Sequence, residues 1–302
     1  MTGAAPRGTG GDGRWTVAVV GPGRVGTALA MAATAAGYDV VAVAGNPASA
    51  GGALERFARL VPSAAPVPAA RAVAGADLVL LTVGDDRLDA VVRDLAVADA
   101  ARSGTRWVHT SGRHGARALR PLALAGGRVA ACHPAQTFPT PELGRDALPG
   151  TAWAVTAAAG DRAWAHQLVV ALGGTPVEVD EADRTRYHAA LAVGANGTSA
   201  VVALARDLLL AAGVSAPEPF LAPLVTRAAA NAAAAGAAAL TGPVRRGDTA
   251  TIAAHLDDLA VALPEAVDAY HALARLAVSY AARAGLDPDR VAAVRAILDP
   301  GP

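Results

Sequence analysis

The first residues whose types and spacing suggest chemistry are glycines. Val17-Ala-Val-Val20 runs directly into Gly21-Pro22-Gly23-Arg24-Val25-Gly26, a G-x-G-x-x-G spacing between a β-rich run and a helical one. In that setting Gly21 permits a tight turn and Gly23 lets backbone N–H groups approach a pyrophosphate, while Gly26 lets the new helix lie close to the sheet. The helix also presents its positive end to the phosphates. Dinucleotide binding is the expectation, and a domain that keeps this turn without its nucleotide is the alternative. About 20 residues further on, NAD enzymes carry an acid for the ribose diol. Here the second strand ends in Val43-Ala-Gly-Asn46-Pro-Ala-Ser49. An acid would repel a 2′-phosphate, whereas Asn46 does not and Ser49 can donate to it. This favours NADP, with Arg24 or Arg56 as the cation. Asn46 before Pro47 also suits an Asx turn, and the two readings are compatible.

Three strands end in polar residues. Asp77–Val83 leads into Gly84-Asp85-Asp86, Arg106–Val108 into His109-Thr-Ser111-Gly112, and Arg128–Ala131 into Cys132-His133-Pro-Ala-Gln136. Ligands of doubly wound sheets sit beyond the carboxyl ends of the strands. Val83, Gly84, Asp85, Ser111 and Gly112 are therefore expected beside the cofactor, and His133 near the reacting atoms. The competing readings are that Asp85 and Asp86 cap a helix and that His109 is a buried, satisfied histidine. Further on, Tyr187-His188 leads to Asn196 and Ser199, with His188, Ala195 and Ser199 on nearly one helix face. Polar groups among Ala and Gly are costly unless they find partners. Leu240-Thr-Gly-Pro-Val-Arg245-Arg246-Gly-Asp248 joins two helices, with His255 following. Arg can grip a carboxylate through two parallel hydrogen bonds. An ordinary turn with Asp248 near the helix N-cap is the plain alternative.

The elements that must position these residues alternate between strand and helix up to about Asp180, after which the strands stop. The predicted strands are Thr16–Val20, Asp39–Ala44, Asp77–Val83, Arg106–His109, Arg128–Cys132, Thr151–Thr156 and Pro176–Val179. Helical patterns follow at Arg184–Ala212, Pro219–Leu240 (broken by Pro223), Thr249–Leu263, Pro264–Ala284 and Pro288–Leu298. The fold class is thus an α/β N-terminal Rossmann domain, mostly parallel and doubly wound, followed by an all-α C-terminal domain. The expected divisions are a tail at 1–13, a dinucleotide-binding domain at 14–180 and a helical domain at 181–302.

Composition narrows the chemistry. Of 302 residues 81 are Ala, against three Phe, four Tyr and four Trp, so helices must pack by close backbone approach. The 26 cations, all Arg, balance 26 acids, which leaves no field for nucleic acid or an anionic membrane surface. The absence of Lys excludes a lysine acid, base or Schiff base. Cys132 is the only cysteine, which excludes an intrachain disulfide and a cysteine metal cluster, and no metal site is expected. The first thirteen residues lack the apolar core of a signal peptide. Ala189–Ala205 and Ala228–Val244 carry no charge, but Asn, Gly, Thr and Ser interrupt them, so both are expected as buried helices. The chain is expected to be soluble and cytoplasmic.

GPGRVG, HTSG, HPAQTF, the RYHAAL…N run and LTGPVRRGD together resemble a family of bacterial proteins that join a Rossmann-like domain to a C-terminal helical domain of unknown function. That family lies in the wider group of pyrroline-5-carboxylate reductase, prephenate dehydrogenase and 6-phosphogluconate-type dehydrogenases. The resemblance runs from about Trp15 to the last helix. It implies an NADP-dependent oxidoreductase that dimerises through its helical domain, and some members act as an alternative ketopantoate reductase. The better-known ketopantoate reductases use a helix lysine as general acid, which this chain lacks. His188 stands at the start of the corresponding helix, and histidine suits general acid work near neutrality. His133 and His255 are its rivals.

The reading that results is hydride transfer from NADPH to a small 2-oxo acid. Gly21, Gly23 and Gly26 hold the pyrophosphate, Asn46 and Arg24 tolerate the 2′-phosphate, and Ser111 and His133 line the nicotinamide side. His188 donates the proton, Asn196 orients the substrate and Arg246 binds its carboxylate. Alternatives are an imine reductase, a prephenate-type dehydrogenase, a deazaflavin as hydride partner, and a non-catalytic nucleotide sensor or scaffold.

Overall fold

A computed structural model of the chain describes residues 15–46, 52–98 and 102–299. It contains two compact units, Met1–Gly194 and Ala195–Pro302. The N-terminal tail and Ser49 lie outside the described residues.

The first unit is built on one eight-stranded sheet, comprising β1 (Thr16–Val20), β2 (Asp39–Ala44), β3 (Ala65–Pro66), β4 (Leu78–Leu81), β5 (Arg106–His109), β6 (Arg128–Pro134), β7 (Ala152–Ala157) and β8 (Thr175–Glu178). The spatial order is β3-β2-β1-β4-β5-β6-β7-β8. All neighbours run parallel except β6 and β7, which pair antiparallel from Ala130↔Ala157 to Pro134↔Trp153. Helices α1 (Arg24–Ala35), α2 (Ala53–Leu60), α3 (Ala69–Ala74), α4 (Asp85–Val97), α5 (Arg120–Leu124), α6 (Pro141–Asp146), α7 (Arg162–Ala171) and α8 (Arg184–Ala192) complete the unit. The expected strands are all present, and β3, only two residues long, is additional.

Strand alternation sorts the core into two layers. Val17 and Val19 of β1 join Leu29, Phe57, Trp153 and Leu168 on one face of the sheet. Ala18 and Val20 join Val79, Leu81, Leu88 and Leu122 on the other. Both faces of β1 are therefore buried, which is why its sequence is a continuous apolar run without polar alternation. Cys132 lies wholly inside the first layer, where burial pushes its thiol up to about 12. Strand order reverses around β1, between β2 on one side and β4 on the other, and that is the point where doubly wound sheets open a crevice.

The second unit comprises α9 (Thr198–Ala211), α10 (Glu218–Ala235), α11 (Gly242–Arg246), α12 (Thr249–Ala262), α13 (Val267–Arg283) and α14 (Pro288–Leu298). Its core joins Ile252 of α12, Ala274, Val278 and Ala281 of α13, and Val291, Val294 and Leu298 of α14. Helix α10 continues through Pro223, where the sequence suggests a break. Pro223 has no N–H to give to the carbonyl four residues earlier, and the helix runs on past it without that bond. Between α8 and α9 the backbone is π-helical over Val193–Gly197, so Arg184–Ala212 is not one regular α-helix. The strands end at Glu178, as the composition shift at Asp180 suggests, but the first compact unit runs on to Gly194.

The two uncharged stretches differ from expectation. Neither α9 nor α10 has a buried residue, and Val201, Leu210, Phe220 and Leu224 are exposed. These faces are apolar for packing, yet no residue of either helix is buried among the described residues. Glu181–Ala211 also meets the length and hydropathy needed to cross a membrane, although Asn and Gly interrupt it.

Candidate active site

The glycine turn is set by its two neighbouring strands. Gly21 N–H donates to Ala44 O of β2 (2.9 Å), and Thr82 Oγ1, just past β4, donates to Gly21 O (2.7 Å). Gly21 has φ +108°, and a Cβ there would lie 2.8 Å from the Thr82 carbonyl. At Gly26 a Cβ would run into Gly21 O and Thr82 Oγ1. Gly23 differs from both, because it has an ordinary φ of −70° and open space where its Cβ would point. It starts α1 without any side-chain cap, so the first N–H groups of the helix are left for a ligand.

This turn borders a cavity of about 660 Å³, lined also by Asn46 past β2, by Val83 and Gly84 past β4, and by Arg87 and Val91 of α4. An uncapped helix start, an open Gly23 and a cavity of this size at the switch point fit a dinucleotide. Val25 packs against the apolar core, so only its backbone is available to a ligand. Arg24 is exposed and its Nη1 reaches Pro139 O (3.5 Å). Neither Arg24 nor Arg56 lines the cavity, and Arg87 is the cation that does among the described residues. Asp85 stands in the first turn of α4 and is not a cap; Gly84 occupies the N-cap position.

A second cluster forms past the end of β5 and at the last residues of β6. A Cβ on Gly112 would lie 2.6 Å from His188 Cδ2 and 3.0 Å from His133 Nε2, so these three residues meet without a gap. The His133 and His188 rings are edge-on at 6.1 Å, and His133 Nδ1 lies 2.9 Å from Tyr187 Oη. Burial, then the charge of Arg184 and the presence of His188, lowers His133 to about 4. Burial also raises the Tyr187 phenol. At neutral pH this is an uncharged imidazole hydrogen-bonded to a protonated phenol, with a second imidazole alongside.

Other candidates have structural roles. Buried His109 accepts from Ser111 N–H at Nδ1 (3.2 Å), which leaves Nε2–H to donate to Gly115 O (2.9 Å). Ser111 Oγ accepts from His114 N–H (3.2 Å), so it fixes the turn that presents Gly112. In the second unit Asn196 is exposed within the π-helical segment, and exposed Arg246 pairs loosely with Asp248 (3.7 Å). Asp248 caps α12 by accepting from Thr251 N–H (3.1 Å), and His255 Nδ1 sits 2.8 Å from Tyr270 Oη. Two participants were not singled out by sequence reasoning, Tyr187 and Arg184. Their signal was position alone, one helical turn apart in the RTRYH run.

Residues 1–134 match the model of a Rossmann-like domain, and residues 151–277 match the domain of unknown function DUF2520. No curated protein matches the chain. Among solved structures, a candidate NADP oxidoreductase from Bacteroides fragilis superposes with a TM-score of 0.72 at 22% identity, covering 87% of this chain and 98% of the other. An imine reductase from Myxococcus stipitatus, solved with NADP⁺, gives 0.62 at 20% identity over 87% and 94%. An imine reductase from Pseudomonas sp. gives 0.60 at 23% identity over 94% and 99%. These likenesses establish a shared fold. The chain joins a Rossmann-like domain to a DUF2520 helical region, the pairing that its motifs resemble.

Proposed function

We propose that the protein is an NADPH-dependent oxidoreductase that reduces a small 2-oxo acid, with ketopantoate as the first substrate to test. The observation that carries this is the uncapped glycine turn opening on its cavity, with a cluster of proton-bearing side chains at neighbouring strand ends of the same sheet. The NADP oxidoreductase and the NADP⁺-bound imine reductase of the same fold support the cofactor. Gly23 and the start of α1 would hold the pyrophosphate, and Asn46 and Arg87 would face the adenosine ribose. When bound, the reduced nicotinamide supplies a hydride. His188 supplies the proton that a carbonyl oxygen needs, and the His133–Tyr187 pair holds the wall beside it. Asn196 and Arg246, exposed polar residues of the second unit, are the groups there that could meet a carboxylate.

The second reading, an imine reductase, is favoured by the solved neighbours that bear that name. Consumption of NADPH with ketopantoate, against NADH as control, supports the first. Turnover of a cyclic imine alone supports the second. Nucleotide binding without turnover of either would leave the sensor reading. We also propose a soluble, cytoplasmic homodimer in which a second copy covers the apolar faces of α9 and α10. Sedimentation of the purified chain without detergent should give a dimer, and a need for detergent would point to lipid instead.

A further inference from the structure

Behind the His133–Tyr187 pair lies an arginine that pairs with no carboxylate among the described residues, although the charge of Glu181 reaches it. Arg184 is 1% exposed, and its guanidinium is saturated by uncharged acceptors. Nε donates to Thr156 Oγ1 (2.8 Å), Nη2 to Ala131 O (2.9 Å) and Ala154 O (3.1 Å), and Nη1 to Ser111 O (3.4 Å). It thereby ties the ends of β5, β6 and β7 together. Glu181, three residues earlier, turns instead to Gly115 and accepts from Arg117 N–H (3.3 Å). A buried charge is normally paired, because desolvation is expensive. Here the full positive charge persists, 5.9 Å from the Tyr187 ring centroid.

The groups that act on His133 come from three elements: Arg184, Tyr187 and His188 on α8, His109 on β5, and Asp85 at the start of α4. Asp85 is the only acid among them, and the buried cation it opposes has the larger effect. The two candidate substrates differ in what this potential does to them. A carbonyl that accepts a hydride leaves an oxygen that gains negative charge until it takes a proton. An iminium arrives as a cation and becomes a neutral amine on taking the hydride, with no proton required in that step. A positive wall favours the first change and opposes arrival of the second.

We propose that Arg184 is a positioning residue that sets a buried positive charge behind the His133–Tyr187 pair and so fits the site beside Gly112 to a carbonyl substrate over an iminium. The substrate half rests on the reductase reading; the charge behind His133 does not.

The test uses the full chain and follows imidazole nitrogen signals by NMR, with His133 assigned through His133→Gln. In the wild type and in Arg184→Lys, His133 should stay uncharged to about pH 4. In Arg184→Met its midpoint should rise by a resolvable amount, about half a unit, and stay below the ordinary histidine value because burial remains. A wild-type midpoint near 6.5, or equal midpoints in wild type and Arg184→Met, overturns the proposal. Where the methionine variant does not fold, Arg184→Gln, which removes the charge and keeps an amide donor, gives the same comparison, and a midpoint equal to the wild type overturns the proposal. With NADP⁺ bound, oxalate should bind at least about tenfold more tightly than piperidinium, and Arg184→Met should narrow that gap. Preference for piperidinium overturns the substrate half. Failure to bind NADP⁺ overturns the reductase reading and the substrate half with it, while the His133 midpoint still decides the rest.

Discussion

The two functional regions of the first unit are made from different materials. The glycine turn is built from backbone, and its side chains matter mainly by being absent. The cluster at the ends of β5 and β6 is built from side chains drawn from three separate stretches of sequence. The turn needs only local geometry, so its spacing reveals it. The cluster exists only once β5, β6 and α8 are assembled, so no spacing reveals it. A backbone site should therefore fail through added atoms and a side-chain site through removed ones.

The largest effect should come from adding one methyl group in the turn. Gly26→Ala places a Cβ against Gly21 O and Thr82 Oγ1, so the helix must shift away from the sheet. Loss of about 2 kcal/mol or more in stability, with loss of NADPH binding, is expected by denaturant titration and fluorescence. Gly23→Ala is the sharper comparison, because its backbone is ordinary and its Cβ would point into open space. Its melting temperature should match the wild type while NADPH binding weakens about tenfold or more, since the methyl group occupies the ligand's approach. Equal binding by Gly23→Ala would remove the pyrophosphate from this turn.

In the cluster, His188→Ala should lower kcat by about two to four orders of magnitude if His188 gives the proton. An unchanged kcat with Tyr187→Phe inactive would move that role to the phenol, whose hydroxyl lies 2.9 Å from His133.

A smaller effect should appear in stability against pH. Burial holds both His109 and His133 near 4 in the folded chain, against about 6.5 when unfolded. Above that range both states are neutral and nothing is lost. As pH falls from about 6.5 toward 4 the unfolded chain takes up protons that the folded chain refuses. Stability should fall by up to about 1.4 kcal/mol per pH unit for each histidine. Urea midpoints measured across this window check it, and His133→Gln should flatten the slope by about half.

The smallest effect is expected at the rim of the cavity. Arg87→Ala should weaken NADPH binding by a few-fold and NADH binding less, if its guanidinium meets the 2′-phosphate. Equal losses for both nucleotides would place it elsewhere along the cofactor.

Much of the scaffold was legible because the physics is local. Val17–Val20 reads as a buried strand because both faces of β1 are covered. The start of α1 and the cap by Asp248 follow from short-range backbone needs. His133, His188 and Gly112 were also visible, since histidines and glycines at strand ends are conspicuous. Arg87 and Arg184 were not. One of 26 arginines looks like another until its burial is known, and Arg184 differs from Arg186 only by the helix face it occupies. The exposure of α9 and α10 was likewise hidden, because an apolar pattern states that a face is to be covered without stating by what.

Cys132 gives the protein a clock of its own. Its thiol is completely enclosed and held about three units above the usual cysteine range, so both contact with a reagent and formation of the thiolate require the sheet to open. A disulfide reagent added to the native chain thus counts opening events of the first unit, one molecule at a time, with no introduced label. Nucleotide that binds the folded chain should slow that clock in proportion to its affinity and concentration, turning a silent side chain into a readout of ligand binding that needs no turnover.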